Sequence, residues 1–377
     1  MSSITSNITP VPTPPGGGQP RPTGLAIEAR DLSKTYAGKV RALAGLSFSV
    51  DAGTVFALLG PNGAGKSTAV KILTTLTRPD AGSATVAGHD VLRQPEEVRR
   101  SIGYVSQKPQ FDPEATGSEN LYLQGRLYGV PRRQLRARCR VLLERFGLGA
   151  AADRAARTYS GGMQRKLDVA LALVHTPQAL FLDEPTTGLD PHARSDMWHE
   201  ITRLACDDGL TILLTTHYLD EADQLAQEVA IVDRGTIVAQ GSPERLKSEL
   251  RGDAIVVDLT HPAMGSVGPP EVEGVAQPAV DGVESVHSEV RTVLGRLDGL
   301  RDISVDGSSV RARADHGARA VPAILAALEA TGLGVASVTV ARPSLDDVYL
   351  RYAGRPFDEH DGLRTSGPTR HTEEVGR

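Results

Sequence analysis

The chain has 377 residues and a formal net charge of −5 at pH 7, which predicts one large domain with a smaller one and argues against broad nucleic-acid affinity. No segment approaches the roughly 20 apolar residues that span a bilayer, and the N-terminus lacks the apolar core of a signal peptide. Cys139 and Cys206 show no metal or redox spacing, which indicates a reducing compartment. Together, these features lead us to expect a soluble, cytoplasmic protein that reaches a membrane only through a partner.

The first elements predicted along the chain form a large α/β domain. Residues 1–24 are rich in Pro, Gly, Ser and Thr and are expected to form a disordered tail. Over residues 25–241 strands and helices alternate, as in a mostly parallel sheet with crossover helices. Within this domain we predict buried strands at Thr54–Leu59, Leu180–Asp183 and Leu210–Thr216, and a helix at Lys66–Leu76.

The pattern becomes helical between about residues 108 and 159, which predicts a small helical subdomain. Thr116-Gly117-Ser118-Glu119 has the form of a capping box that opens one helix. Pro131 suits the first turn of a second helix, which Gly147 ends. The apolar residues of this second helix recur at helical spacing: Leu135, Cys139, Leu142 and Phe146.

The chain changes character after Gly241, and we predict a small C-terminal α+β accessory domain over residues 242–354. A strand at Ala254–Leu259 precedes a Gly/Pro-rich connection at 261–286. The remaining predicted elements are a helix near 287–298, a strand pair near 302–313, a helix near 317–331, a strand at 335–341 and a helix from the cap Ser344–Asp347 to Tyr352. Residues 355–377 have the composition of a second loose tail.

A phosphate-binding loop stands between the first buried strand and its helix. The run Gly60-Pro61-Asn62-Gly63-Ala64-Gly65-Lys66-Ser67-Thr68 matches the pattern G-x-x-x-x-G-K-[ST] in the strand–helix context that this loop requires. Its glycines let successive N–H groups surround a β-phosphate at a helix N-terminus. We predict that Lys66 bridges the β- and γ-phosphates and that Ser67 ligates Mg²⁺.

Two adjacent acids follow a buried strand of the same domain. The carboxyl end of a parallel strand is where α/β folds place ligand chemistry, so Asp183 and Glu184 are candidates for the reaction. We predict that Asp183 holds Mg²⁺ through water. Glu184 points elsewhere and is predicted to polarise the attacking water.

The run Ser160-Gly161-Gly162 offers free N–H groups at the start of a helix, a second anion-binding site that indicates two chains sharing each nucleotide. Together with the phosphate loop and the acidic strand end, it resembles the signature of ABC transporter nucleotide-binding subunits. The resemblance covers about residues 25–241 and implies a P-loop ABC ATPase cassette with a helical subdomain. It also implies hydrolysis of ATP with Mg²⁺ by a head-to-tail dimer, in which each phosphate loop faces the signature of the other copy.

Further positions match the same family. Tyr36 stands where the family stacks an aromatic ring on adenine, and Gln107 where a glutamine contacts Mg²⁺ and water and faces the membrane subunit. Gly188-Leu189-Asp190 matches the loop that couples the two subunits, and His217 matches the histidine at the γ-phosphate. The resemblance therefore assigns catalytic roles to Gln107, Glu184 and His217.

The signature departs from the common Leu-Ser-Gly-Gly-Gln at its first and last positions, which are Tyr159 and Met163. Ser160 and the two glycines, which touch phosphate in the family, are retained, so ATP binding across the dimer is expected to survive. The helix continues with an apolar face that we predict to be core: Met163, Leu167, Ala170, Leu171 and Val174.

A motif near the end of the chain indicates one group within the ABC transporter subunits. The run Pro343-Ser344-Leu345-Asp346-Asp347-Val348-Tyr349-Leu350, with Met163 in the signature and Gly-Leu-Asp after Asp-Glu-Pro-Thr-Thr, is similar to the daunorubicin-type drug-resistance exporters of bacteria. This implies a separate integral membrane permease subunit as partner. It also implies a peripheral position on the cytoplasmic face of the cell membrane.

Other interpretations stay open. The energy subunit of an importer, or of a lipid or polysaccharide exporter, has the same cassette, and only the ending at 343–350 favours drug export. A soluble ABC ATPase acting on DNA would carry a long coiled coil between Lys66 and Ser160, and one acting on ribosomes usually carries two cassettes; the sequence shows neither. A non-enzymatic binding module does not account for the filled catalytic positions.

Overall fold

The computed structural model describes residues 24–250, 252–260, 290–331, 333–355 and 357. These residues form two compact units: the first holds the described residues up to Ala57 with Gly65–Thr216, and the second holds Leu58–Ala64 with those from His217 onward. The predicted N-terminal tail, the connection at 261–286 and most of the C-terminal tail lie outside the described residues. Among the helices of the described ranges, none has the length and apolar character needed to cross a bilayer.

An antiparallel sheet opens the first unit, so the prediction of a mostly parallel sheet is wrong for this part of the chain. It has the order β2-β1-β4-β5, and its strands are β1 (Leu25–Tyr36), β2 (Val40–Asp51), β4 (Ala81–Val86) and β5 (His89–Asp90). A short turn with Gly38 and Lys39 at positive φ joins β1 to β2, and a connection this short permits only antiparallel pairing.

Parallel strands form the centre of the first unit. β8 (Thr211–Thr216) lies between the start of β3 (Val55–Leu59) and β7 (Ala179–Asp183), and β6 (Ile102–Val105) follows β7. Every residue of β3, β7 and β8 is buried, which explains why these strands appear as continuous apolar runs in the sequence. The three predicted buried strands are therefore confirmed, each within one residue at its start.

Helices connect these strands: α1 (Lys66–Leu73), α2 (Pro95–Ser101) and α6 (Pro191–Cys206). The prediction that α1 runs to Leu76 is wrong. Thr75 adopts a φ of 63° and the N–H of Leu76 bonds to the carbonyl of Lys71. This is a helix-terminating motif that usually takes glycine at the position of Thr75, so the sequence gives no clear sign of it.

The predicted helical segment contains α3 (Gly117–Leu127) and α4 (Arg132–Arg145) and leads to α5 (Gly161–Leu173). Thr116 and Glu119 form the expected capping box before α3, and the four apolar residues predicted for α4 are buried. In α5 the predicted core face is confirmed except for Met163, which is half-buried because the first turn of this helix is exposed.

The second unit begins with the end of β3 beside a tight hairpin. β9 (Glu228–Asp233) lies between β3 and β10 (Thr236–Gly241), and β9 and β10 pair antiparallel. Two short helices, α7 (Leu219–Leu225) and α8 (Pro243–Ser248), flank the hairpin in sequence.

A four-stranded antiparallel sheet of order β12-β13-β11-β14 completes the second unit. Its strands are β11 (Asp253–Leu259), β12 (Leu300–Asp306), β13 (Ser309–Ala314) and β14 (Val335–Ala341). The helix α9 (Gly317–Ala330) and the helical residues 290–294 pack on a core that includes Ile255, Leu294 and Leu328. The last helix, α10 (Leu345–Ala353), begins with a capping box between Ser344 and Asp347, as predicted.

Candidate functional site

The predicted phosphate loop, Gly60–Thr68, connects β3 to α1. Gly65 precedes α1 with a φ of 111°, a conformation that favours glycine. A Cβ at Gly65 would lie 2.4 Å from the carbonyl oxygen of Ala42, so the backbones are too close for any larger residue. Because glycine cannot cap a helix with a side chain, the N-terminus of α1 at Lys66 is suited to receive an external anion.

Asp183 ends β7 and is only 3% exposed. Its Oδ1 accepts hydrogen bonds from the Ser67 hydroxyl at 3.0 Å and from the Thr215 hydroxyl at 2.6 Å. Ser67 and Asp183, two of the three residues predicted to contact Mg²⁺, are therefore brought together, and the third is Gln107. Their oxygens are the hard donors that Mg²⁺ prefers, usually completed by substrate phosphates and water.

Glu184 follows Asp183 in a left-handed backbone conformation, with a φ of 49°. Its N–H donates to both the carbonyl and the hydroxyl of Thr215, at 3.2 and 3.1 Å. Its Oε2 accepts from the Thr187 hydroxyl at 3.2 Å. A non-glycine residue held at positive φ costs of order 1–3 kcal/mol and persists only where its surroundings fix it, most often at functional sites.

Lys66 reaches the same cluster. Its ammonium is 4.0 Å from Oε1 of Glu184 and its side chain is only 4% exposed. Burial lowers the pKa of Lys66, while the charges of Glu184 and Asp183 oppose that shift. The arrangement places a buried cation beside two carboxylates, at the start of a helix that attracts anions.

Arg165 is a buried residue of this site that sequence reasoning missed. Its guanidinium donates hydrogen bonds to the backbone carbonyls of Ser106, Asp183, Glu184 and Pro185 at 2.5–3.2 Å. The carbonyl of Glu184, whose backbone is strained, is thus held by a charged donor. No local signal marked it, because Arg165 stands in the polar run Gln164-Arg165-Lys166.

Asp168, one turn further along α5, holds the segment that follows Gln107. Its Oδ1 accepts a hydrogen bond from the N–H of Gln110 at 2.9 Å, while the side chain of Gln107 is exposed. Burial raises the pKa of Asp168 to about 6, against the opposing effects of that hydrogen bond and of Arg165. Sequence reasoning also missed this contact.

The signature run stands at the exposed start of α5. Ser160 caps the helix by accepting the N–H of Met163 at 3.3 Å, and no atom lies within 4 Å of a Cβ built at Gly161. Tyr159 is buried and donates its hydroxyl to the carbonyl of Ala151 at 2.7 Å. Tyr159 therefore anchors the preceding segment, while Ser160 and Gly161 stay accessible.

Three further residues predicted for the site are Tyr36, Asp190 and His217. Tyr36 ends β1, is 39% exposed, and has the Lys34 ammonium 5.8 Å from its ring centroid. Asp190 caps α6 by accepting the N–H of Ala193 at 2.9 Å. His217 belongs to the second unit, directly after β8, and its ring lies 4.1 Å from that of Tyr218.

The raised pKa of Asp168 predicts a pH-dependent stability. In the unfolded chain this carboxyl ionises near its ordinary pKa, but in the folded chain it ionises only near pH 6. Its ionisation therefore opposes folding, and stability falls as pH rises through that window. We expect the stability gained by Asp168→Asn, which keeps an acceptor for Gln110, to grow by about 1–2 kcal/mol between pH 5 and pH 8.

Urea-unfolding midpoints of the parent and variant at the two pH values measure this difference. Asp196→Asn is the control, since the hydrogen bond from Lys166 lowers the pKa of Asp196 and its effect should be the same at both. A gain for Asp168→Asn that does not change with pH would show that the carboxyl does not titrate in this range.

Several known proteins are similar to this chain. Residues 43–187 match the family model described as ABC transporter. The chain is 43% identical to the daunorubicin/doxorubicin resistance ATP-binding protein DrrA of Streptomyces peucetius, over 89% of this chain and 94% of that protein. It is 44% identical to the Nod factor export ATP-binding protein I of Ralstonia nicotianae, over 62% of this chain and 71% of that protein.

Among solved structures, the chain is similar to one titled as an ATP binding subunit of an ABC transporter, with a TM-score of 0.54 and 31% identity. The match covers 59% of this chain and 92% of that one. Family model, relatives and fold agree with the resemblance found in the sequence. The chain belongs to the family of ABC transporter ATP-binding proteins and is an ATPase of that family.

Proposed function

We propose that this chain is the ATP-hydrolysing subunit of a bacterial ABC exporter of drug-like compounds, working as a dimer with separate membrane subunits. The observation that carries the proposal is the cluster in the first unit. There Lys66 approaches Glu184, Ser67 bonds to Asp183, and Glu184 is held at positive φ. These are the groups needed to bind phosphates and to accept a proton from water.

The phosphates of ATP are proposed to take the place beside the Lys66 ammonium. Among the described residues no group of three or more His, Cys, Asp and Glu side chains could hold a metal ion, so a magnesium ion here would depend on phosphate and water ligands as well. Ser67 and Asp183 would hold it, with Gln107 as a further contact. When bound, Mg²⁺ neutralises charge on the transferred phosphoryl group.

Glu184 is proposed to act as the general base. It accepts a proton from the attacking water at a carboxylate oxygen, while Thr215 and Arg165 fix its backbone. Thr187 donates to the other carboxylate oxygen and so limits rotation of the side chain. His217 is proposed to donate to the γ-phosphate, and Tyr36 to stack on the adenine ring.

Each ATP is proposed to be shared by two copies arranged head to tail. Ser160, Gly161 and Gly162 of one copy face the phosphate loop of the other, and Asp190 lies in the loop that couples the two sites. The exposed start of α5 supports this, since space at Gly161 and the helix dipole favour an incoming phosphate. ATP then stabilises the closed dimer by mass action, and hydrolysis releases it.

The opening of the dimer is proposed to reach a membrane permease through the segment after Gln107 and through α3 and α4. The hydrogen bond between Gln110 and Asp168 links that segment to α5. α3 leaves Leu123 and Leu127 exposed at 57% and 73%, an apolar surface that a partner would cover. Such an arrangement places the chain on the cytoplasmic face of the membrane.

Changing Glu184 to Gln removes the proton acceptor but keeps the size of the side chain. We expect Glu184→Gln to bind ATP with an affinity close to that of the parent and to lose about 100-fold or more in steady-state ATP hydrolysis. Phosphate release and equilibrium ATP binding, measured on the same preparation, separate the two effects. The control is Glu114→Gln, a surface position 76% exposed. Parental turnover in Glu184→Gln would rule out Glu184 as the base.

The transported compound is the most specific part of the proposal. Drug export is supported by the name of the Streptomyces relative and by the ending at 343–350. The similarity to a Nod factor export protein keeps export of a Nod factor as the second candidate. We expect the chain to purify with the polytopic membrane protein encoded next to it. Its ATPase activity in vesicles should then rise with an anthracycline. A rise only with a Nod factor would favour the second candidate.

A further inference from the structure

A buried polar cluster in the second unit is not used by the proposed reaction. The side chain of Asp233, the last residue of β9, is 10% exposed. Its Oδ1 accepts hydrogen bonds from the Arg355 guanidinium at 2.7 Å and from the Tyr349 hydroxyl at 3.3 Å. We refer to these three residues as the Asp233 anchor. A carboxylate this deeply buried requires a cation and hydrogen-bond donors beside it.

The anchor ties α10 to the β9–β10 hairpin, and the same helix is tied to the C-terminal sheet. Asp346 and Asp347, at the start of α10, pair with Arg311 and Arg313 of β13 at 2.6 and 3.1 Å. The ring of Tyr349 also packs edge-on against Phe357, with centroids 4.7 Å apart. α10 therefore joins the accessory sheet to the end of β9, through the motif noted at 343–350.

The hairpin beyond Asp233 turns tightly. Arg234 and Gly235 both adopt positive φ, 47° and 80°, as in the two-residue hairpin turns that fit the twist of a strand pair. The Thr236 hydroxyl donates to the Asp233 carbonyl at 3.0 Å. A non-glycine residue such as Arg234 at positive φ is costly, so the turn depends on contacts that fix its ends.

The same hairpin contacts the first part of the phosphate loop, Gly60–Ala64, at two points. The Gly235 N–H donates to the carbonyl of Ala64 at 2.9 Å. At Gly60, a Cβ would lie 2.3 Å from the carbonyl oxygen of Val232, so the two backbones are too close for any side chain at this position. Small changes in the hairpin must therefore be transmitted to Gly60–Ala64.

We propose that the Asp233 anchor positions the phosphate loop, so that the C-terminal accessory domain sets how tightly the chain holds nucleotide phosphates. Arg355 and Tyr349 are positioning residues: they act on Gly60–Ala64 through Asp233 and the turn. The proposal uses the proposed function in one respect only, namely that Gly60–Ala64 binds phosphate.

Loss of the two hydrogen-bond donors to Asp233 should make the segment Gly60–Ala64 of the phosphate loop more mobile. Without Arg355 and Tyr349, the buried Asp233 carboxylate loses both hydrogen-bond donors at Oδ1 and retains the exposed Arg234 guanidinium, 4.0 Å from Oδ2, so it gains by moving toward water. That movement shifts the turn and weakens the bond from Gly235 to Ala64. Asp233→Asn removes the charge that needs compensation, so it should restore the loop when added to the variant that lacks both donors.

The test is hydrogen–deuterium exchange of the full-length, nucleotide-free chain, together with its equilibrium affinity for ADP. The test variant is Arg355→Gln with Tyr349→Phe. The matched control is Arg351→Gln with Tyr352→Phe, which changes the same residue types on α10. Tyr352 donates to Glu249 at 2.9 Å, away from the hairpin.

In the test variant we expect faster exchange in peptides covering Gly60–Ala64 and an ADP affinity weaker by about threefold to tenfold. The control variant should match the parent, and Asp233→Asn should bring the exchange of the test variant back toward it. Parental exchange over Gly60–Ala64 in the test variant, or an equal increase in the control, would overturn the proposal. If the parent did not bind ADP, the proposed function would fail, while the exchange data would still decide whether the anchor positions the loop.

Discussion

The guanidinium of Arg165 fixes the geometry on which the candidate site depends. It lies where the chain leaves β6 and β7, and its N–H groups pair with the carbonyls of Ser106 and of Asp183 through Pro185. Carbonyls at the ends of parallel strands have lost their sheet partners and must be satisfied in another way. One planar cation does so for both strand ends and joins them to α5.

This cross-link has a consequence for a shared site. The N-terminus of α5 carries Ser160 and Gly161, which are proposed to meet the nucleotide of the other copy. The same helix, through Arg165 and Asp168, holds the backbone of Glu184 and the segment after Gln107. One helix therefore carries the surface proposed to contact the partner's nucleotide. Its side chains also hold the backbone of the residues proposed to hydrolyse the chain's own nucleotide.

Much of the fold could be predicted because its signals are local. Buried parallel strands appear as apolar runs, and the capping boxes at Thr116 and Ser344 are readable as short patterns. The antiparallel pairing of β1 with β2 was missed although its turn is short, and the end of α1 was missed because Thr75 takes a glycine-like conformation. Arg165 and Asp168 could not be placed because their partners, such as Ser106 and Gln110, are distant in sequence and meet only in the folded chain.

The central claim is that each nucleotide is held by two copies, and Gly161→Asp tests it directly. A carboxylate in the first turn of α5 suits the helix dipole, and a Cβ at Gly161 has no neighbouring atom within 4 Å, so the single copy should keep its fold and its ATP affinity. In a shared site, the same carboxylate would repel the partner's phosphates. The measurement is sedimentation of Glu184→Gln with saturating ATP, with and without Gly161→Asp. The account predicts a dimer for Glu184→Gln alone and a monomer for the double variant, with equal ATP binding; two dimers, or two monomers, would contradict it.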